Sequence, residues 1–203
     1  MTIREVSKKE KNVIKQVVYI HLDTFRGFFL TFMGKGFLKQ MYRAYTKHGS
    51  SKLLIAEEEG RVVGFLAYSG NLSELYKFML KKQLFAFAWY SLWAFIRKPK
   101  IFMRLVRAFL KPSESARKEK YVKLTSIGID PANKSKGVGS MLIDEMKKLV
   151  DFSDYRYISL ETDANDNEVA NKFYLKNGFE LVGQYQTKEG RKMNEYRYHK
   201  ENI

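Results

Sequence analysis

The chain is 203 residues long, contains no cysteine and three histidines, and carries a formal charge of +15 with a pI near 9.7. Disulfides, zinc–thiolate clusters and a thiol nucleophile are therefore excluded, and His21, His48 and His199 lie too far apart for a metal-binding pair, so no metal is expected. The length suits one domain over 1–203 with its own core, and the charge calls for an acidic partner: a phosphorylated small molecule, an anionic membrane surface or nucleic acid.

Residues 2–6 read as a short strand. Ser7 and Glu10 then have capping-box spacing, in which a Ser side chain and a Glu three residues later satisfy the first amides of a helix. Val13, Ile14, Val17 and Val18 carry that helix in a 3.6-residue rhythm to about His21. This polar start shows no secretory signal, and the cysteine-free composition is compatible with a reducing cytosol, so the expected location is cytoplasmic, with a membrane-peripheral one as the alternative. A loop or broken helix through Asp23, Phe25 and Gly27 leads to a second helix bearing Phe37, Leu38, Met41 and Tyr45, which ends near Gly49. Strands at 53–57 and 61–68 flank Glu58-Glu59-Gly60, a hairpin signature.

Residues 72–118 depart from this rhythm. They read as a helical, basic and aromatic insert punctuated by Pro99 and Pro112, and residues 71–120 hold twelve Lys and Arg against Glu74, Glu114 and Glu119, a local charge of +9. The run from Leu84 to Ile96 is apolar almost all round and 13 residues long, short of the roughly 20 needed to span a bilayer. A second piece with Ile101, Phe102, Leu105, Val106 and Phe109 is more clearly amphipathic. The plainest reading is a helical hairpin packed on the domain and shaping a substrate pocket. Peripheral membrane contact through 81–111 and homodimerisation are the alternatives.

A β/α alternation then resumes: strand 121–129, helix 139–150, strand 157–161, helix 167–176, and hairpin strands 179–186 and 192–198 around Glu189-Gly190. The whole order predicts an α/β (α+β) fold with a mixed sheet and helices on its faces.

The strongest chemical signal lies where strand 121–129 gives way to a helix. Ile127-Gly128-Ile129-Asp130-Pro131 closes an apolar strand, and Lys134-Ser135-Lys136-Gly137-Val138-Gly139 leads straight into an amphipathic helix carrying Met141, Leu142, Met146, Leu149 and Val150. Glycines let a backbone approach a ligand closely, a helix start offers unpaired amides and a dipole that favours anions, and two lysines add full charge. That is the make-up of a diphosphate cradle; the bland alternative is a structural strand-to-helix turn. A Walker A string is absent, and a GxGxxG dinucleotide fingerprint fails because position 142 is Leu.

Lys134-x-x-Gly137-x-Gly139 resembles the [RQ]-x-x-G-x-[GA] signature of the GNAT acyltransferase superfamily, with Lys standing where Arg or Gln is usual. Asn167-Glu168-Val169-Ala170-Asn171-Lys172-Phe173-Tyr174 through Gly178-Phe179 resembles the superfamily's second motif, N-x-x-A-x-x-[FL]-Y-x-x-x-G-F. The resemblance is close over 121–198, looser over 2–69 and negligible over 72–118. It implies a mostly antiparallel central sheet flanked by helices, with the insert preceding the cofactor-binding strand. It also implies acetyl-CoA as cosubstrate, and transfer of the acetyl group directly to an amine.

On the same resemblance, the acetyl-CoA pyrophosphate would meet Lys134, Ser135, Lys136, Gly137, Val138, Gly139 and Ser140. The thioester and pantetheine would meet backbone at Ile127, Gly128 and Ile129, with Asn167 and Ala170 nearby. Tyr174 falls on the family's tyrosine and would protonate the departing thiolate; its alternative role is packing beside Phe173. Asn167 has a structural alternative as an N-cap. Many relatives place a Glu on the strand matching 121–129, and this chain has none there. Glu161, Asp163 and His21 are the substitutes for a general base, with Glu161 preferred. The expected acceptor is a primary amine on a small molecule, and the basic charge points to an anionic one such as an amino sugar carried on a nucleotide. Peptide N-termini stay open, as does a non-catalytic acyl-CoA-binding or membrane-associated module. Nucleic acid is not expected as a partner, since no binding-module signature occurs.

Overall fold

The computed structural model describes residues 1–26, 29–81, 119–187 and 190–200. The aromatic run 84–96, the amphipathic piece 101–109, Gly27 and the hairpin-tip Glu189 lie outside the described residues. Among the described residues seven strands form one sheet: β1 (Thr2–Glu5), β2 (Ser51–Glu58), β3 (Arg61–Ser69), β4 (Val122–Ile129), β5 (Ile158–Asp163), β6 (Glu180–Gln186) and β7 (Lys192–Tyr198). Their spatial order is β1-β2-β3-β4-β5-β7-β6. Among the described residues every pairing is antiparallel except β4 with β5, so the sheet is mixed, as the element order predicts, and mostly antiparallel, as the resemblance implies.

Helices cover both faces. On one side lie α1 (Lys11–Thr24), the single-turn α2 (Phe29–Phe32) and α3 (Gly34–Tyr45); on the other lie α4 (Val138–Leu149) and α5 (Glu168–Lys176). Residues 72–81 are also helical. Strand β3 is buried along nearly its whole length, as a strand sandwiched between two helical layers must be. Phe65 and Ala67 enter the α1/α3 cluster, while Val63, Leu66 and Tyr68 enter the α4 cluster. The β2–β3 hairpin turns on Glu59 and Gly60, both at positive φ, with Glu58 paired to Arg61.

One local expectation shifts. Helix α1 begins at Lys11 instead of just after Ser7. The Glu10 carboxylate does accept the Ser7 amide at 2.7 Å, as in a capping box, but it also meets the Arg4 guanidinium at 2.8 Å. Residues 7–10 therefore form a separate turn, closed by the Glu10 amide donating to Ser7 O at 3.2 Å, and Glu10 becomes the helix N-cap. The strong Arg4 contact draws Glu10 towards the sheet and away from a role inside the first helical turn.

Candidate functional site

The site begins with a break between two strands. Parallel pairing of β4 with β5 covers only Val122 with Ile158 and Lys123 with Ser159; beyond Lys123 the two strands separate. In the same stretch β4 carries a bulge: Ala67 of β3 pairs with Ser126, but Tyr68 pairs with Leu124, so Thr125 is the extra residue. The bulge changes the phase of the strand. Val122 and Leu124 face the α4/α5 layer before it, and Ile127 and Ile129 do so after it. This switch of apolar positions from even to odd across Thr125-Ser126 is a sequence signal that strand periodicity alone passes over.

The bulge also settles where the β4 amides aim. The Asp130 amide donates to Val63 O at 2.9 Å across the β3 edge. Alternation along an antiparallel ladder then turns Gly128 and Ser126 towards β3, and Ile127 and Ile129 the other way, into the gap left by β5. The Ile129 carbonyl on that side accepts the Thr24 hydroxyl at 3.3 Å, which ties the end of α1 to the end of β4. Thr24 carries no motif that would single it out in sequence.

Past Ile129 the chain makes a 3-10 turn at Pro131–Asn133, held by the Asp130 carboxylate accepting the Ala132 amide at 2.9 Å. Ser135 sits at φ 66 and Gly137 at φ 77, and Gly137 caps α4. A Cβ on Gly137 would meet no atom within 4 Å and would project into open space; the left-handed backbone is what favours glycine there. Gly139 is constrained differently, because its Cβ would stand 3.0 Å from Phe173 of α5. The two motifs seen in sequence thus touch: the second supplies the ring that packs on the glycine of the first.

The first bond inside α4 is the Met141 amide to Gly137 O at 3.1 Å, so the amides of Val138, Gly139 and Ser140 precede the intrahelical ladder. Lys134, Ser135, Lys136 and Gly137 are exposed around them, and Lys136 Nζ donates to Asn133 Oδ1 at 3.0 Å. Unpaired amides, a helix dipole and two lysines around an open approach fit a pyrophosphate. Among the described residues no cluster could hold a metal.

Tyr174 of α5 is buried among Phe173, Phe179 and Tyr196, with ring centroids 5.3, 6.0 and 5.9 Å away. Burial pushes its phenol up to about 12, so it is a neutral donor at pH 7. Val138 and Tyr174 belong to one cluster, with Ile127, Ile129 and Ala170 at its edge. Of the sequence candidates for cofactor contact, Ile127, Ile129, Val138 and Ala170 thus share the α4/α5 side of the sheet with Tyr174. Asn167 does precede α5, yet its side chain makes no capping bond; Nδ2 donates instead to Thr162 Oγ1 at 2.5 Å.

The base candidates fall elsewhere. Ile158 and Leu160 face Tyr174, so alternation puts Glu161 on the opposite face of β5. There Glu161 pairs with Lys123 Nζ at 2.7 Å and accepts the Tyr185 hydroxyl at 2.8 Å. Asp163 is held by Arg191 at 2.7 Å. His21 is 2 % exposed, its Nδ1 lies 2.7 Å from the Tyr42 hydroxyl, and burial lowers its pKa to about 4. The buried ring is neutral at pH 7 and already engaged by Tyr42. Asn171, which no sequence argument selected, accepts from Asn194 Nδ2 and the Tyr196 hydroxyl, both at 2.8 Å, and fixes α5 to β7. A cavity of about 730 Å³ lined by Lys120, Asp154, Tyr155 and His199 lies where β4 and β5 begin, at the other end of the sheet from residues 134–140.

Comparison with known proteins places this geometry. The sequence profile described as "Acetyltransferase (GNAT) family" matches residues 16–179. No curated protein matches in sequence. Among solved structures, an aminoglycoside 6'-acetyltransferase type Ii aligns with TM-score 0.63 at 14% identity, covering 98% of this chain and 97% of its own. A ribosomal-protein-alanine N-acetyltransferase from Brucella melitensis aligns with TM-score 0.62 at 14% identity, covering 98% and 100%. A Bacillus anthracis protein described as a streptothricin acetyltransferase, solved with acetyl coenzyme A, aligns with TM-score 0.51 at 19% identity, covering 79% and 68%. At these identities the structural likeness speaks for the fold, and the profile speaks for the family. The chain belongs to the GNAT acetyltransferase family.

Proposed function

From membership in the GNAT family, we propose that this chain, acting as one domain, is an N-acetyltransferase that moves the acetyl group of acetyl-CoA directly to a primary amine of a small molecule. The observation that carries the reading is the opening of β4 from β5 beside the unpaired start of α4. The amides of Val138, Gly139 and Ser140, with Lys134, Ser135, Lys136 and Gly137, would hold the pyrophosphate. Backbone at Ile127, Gly128 and Ile129 would align the pantetheine and polarise the thioester carbonyl, with Asn167 and Ala170 flanking.

In the reaction the neutral amine forms a C–N bond to the carbonyl carbon and the C–S bond breaks. Tyr174 donates its phenolic hydrogen to the thiolate. The amine's own proton leaves to Glu161, directly or through water, and solvent re-protonates the phenol. Tyr174 and Glu161 lie on opposite faces of the sheet, which supports donor and acceptor entering the gap from opposite sides. Lys123 Nζ and the Tyr185 hydroxyl both donate to the Glu161 carboxylate and fix its position on that face of the sheet.

The net charge favours an anionic acceptor, such as an amino sugar borne on a nucleotide. The charges near Glu161 are themselves paired, Lys123 with Glu161 and Arg197 with Glu195, so that preference rests on the molecule's overall field. Thiol release from acetyl-CoA, measured across anionic amino sugars, polyamines and peptide N-termini, tests both levels. Release that depends on one amine class supports the reading; silence with every amine would favour a binding module on the same fold.

A further inference from the structure

We infer that Tyr42 and Tyr45 of α3, with His21 of α1 behind Tyr42, are positioning residues that hold the β4 bulge in place and thereby set the gap between β4 and β5. The consequence for acetyl-CoA rests on the function proposed above; the pinning of the bulge does not.

Thr125 and Ser126, the bulge residue and its successor, both turn their hydroxyls to the α1/α3 face. Each meets a different tyrosine. The Tyr45 hydroxyl donates to Thr125 Oγ1 at 2.8 Å, and the Tyr42 hydroxyl lies 3.4 Å from Ser126 Oγ. Tyr42 and Tyr45 are three residues apart and share one face of α3. Thr125 passes the connection on by donating to Ala67 O at 2.9 Å, on the residue of β3 that pairs with Ser126. An unbroken line of hydrogen bonds thus runs from α3 through the extra residue of β4 to the neighbouring strand. His21 Nδ1 holds the other side of the Tyr42 hydroxyl at 2.7 Å.

These polar groups sit where apolar ones would be cheaper. Tyr42 is 0%, His21 2% and Tyr45 4% exposed, all within an apolar cluster of Phe37, Leu38, Phe65 and their neighbours. Among the described residues His21 Nε2 is buried with no partner, a desolvation cost that a phenylalanine there would not carry. A network that is costly in the core yet converges on two adjacent hydroxyls of a bulge has a geometric role: without it, β4 could slip by one residue into regular pairing with β3. Such a slip would reverse the facing of Ile127 and Ile129 and turn their amides away from the gap.

The test compares Tyr42→Phe/Tyr45→Phe and the milder Thr125→Val with wild type. Thr125→Ser keeps the hydroxyl, and Ile14→Val is a small truncation elsewhere in the same cluster. Amide hydrogen exchange over 124–130 in the unliganded protein reads the bulge itself, and calorimetry with acetyl-CoA reads its consequence. Expected are about tenfold faster exchange and about tenfold weaker acetyl-CoA binding in the first two variants, with Thr125→Ser and Ile14→Val within about twofold of wild type. Exchange over 124–130 no faster in Thr125→Val than in Ile14→Val overturns the inference. Faster exchange with unchanged acetyl-CoA affinity also overturns it, by separating the bulge from the gap. If wild type binds no acetyl-CoA, the proposed function fails, and exchange alone still decides whether the tyrosines pin the strand.

Discussion

Tyr174 is a phenol in an apolar setting, and its chemistry follows from that. With its pKa pushed up to about 12 by burial, it cannot hand a proton fully to a thiolate of pKa about 8.5 without an uphill step of roughly 3–4 pH units. Its hydrogen bond strengthens as charge develops on sulfur, and the uphill transfer is completed as solvent re-protonates the phenol. Tyr174→Phe should lower kcat by about 10²-fold with little change in the acetyl-CoA KM; a raised KM at unchanged kcat would reduce Tyr174 to a packing residue. His21 has the opposite character, neutral and useful only as such. Its folded pKa of about 4 lies below the unfolded value of about 6.5, so the stability it contributes is complete above pH 6.5 and is lost as pH falls towards 4. Urea unfolding at pH 7 and pH 4.5 should show wild type losing roughly 2–3 kcal/mol more than His21→Phe over that interval. Equal losses would mean that burial does not govern the His21 proton. Tyr174 was legible in sequence because it falls inside a spaced motif. The place of His21 was not, because its partner Tyr42 is 21 residues away and only the crossing of α1 and α3 brings the rings together.

At the scale of elements, α4 and α5 are coupled by the ring of Phe173 over Gly139. A Cβ at 3.0 Å from that ring forces α5 outward, and a branched side chain forces it further. Gly139→Val should therefore destabilise the fold by about 1–3 kcal/mol and weaken acetyl-CoA binding together, whereas Val169→Ala, at an 86% exposed position on α5, should leave the melting temperature within a degree or two. Melting curves with and without acetyl-CoA check both. Helices and strands were largely legible because their apolar periods are strong: α1 buries Ile14, Val17, Val18 and His21 in helical register, and β2 and β3 read as a hairpin around Glu59-Gly60. The start of α1 was misplaced by the pull of Arg4 on Glu10, a contact between β1 and the turn that local spacing cannot encode. The bulge was hidden for a related reason: Thr125 and Ser126 look like ordinary solvent-facing strand positions until the tyrosines of α3 are placed against them.

For the whole molecule, the sheet order and its one parallel pair follow from two motifs that fix a βαβ unit, β4–α4–β5, inside an otherwise antiparallel sheet. The acceptor is less legible, since an amine-binding surface depends on side chains from separate strands and carries no spacing rule. Among the described residues no helix is long and apolar enough to cross a membrane, and the 84–96 run lies outside them. Everything proposed about chemistry depends on residues 134–140 gripping the pyrophosphate of acetyl-CoA. Isothermal titration of acetyl-CoA into wild type and Gly137→Glu tests that most directly. The variant sets a negative side chain and an unfavourable positive φ where Gly137 now leaves open space. The account predicts a Kd on the order of micromolar for wild type and binding at least about 100-fold weaker for the variant. No heat of association with wild type, or identical isotherms for the two proteins, would contradict it.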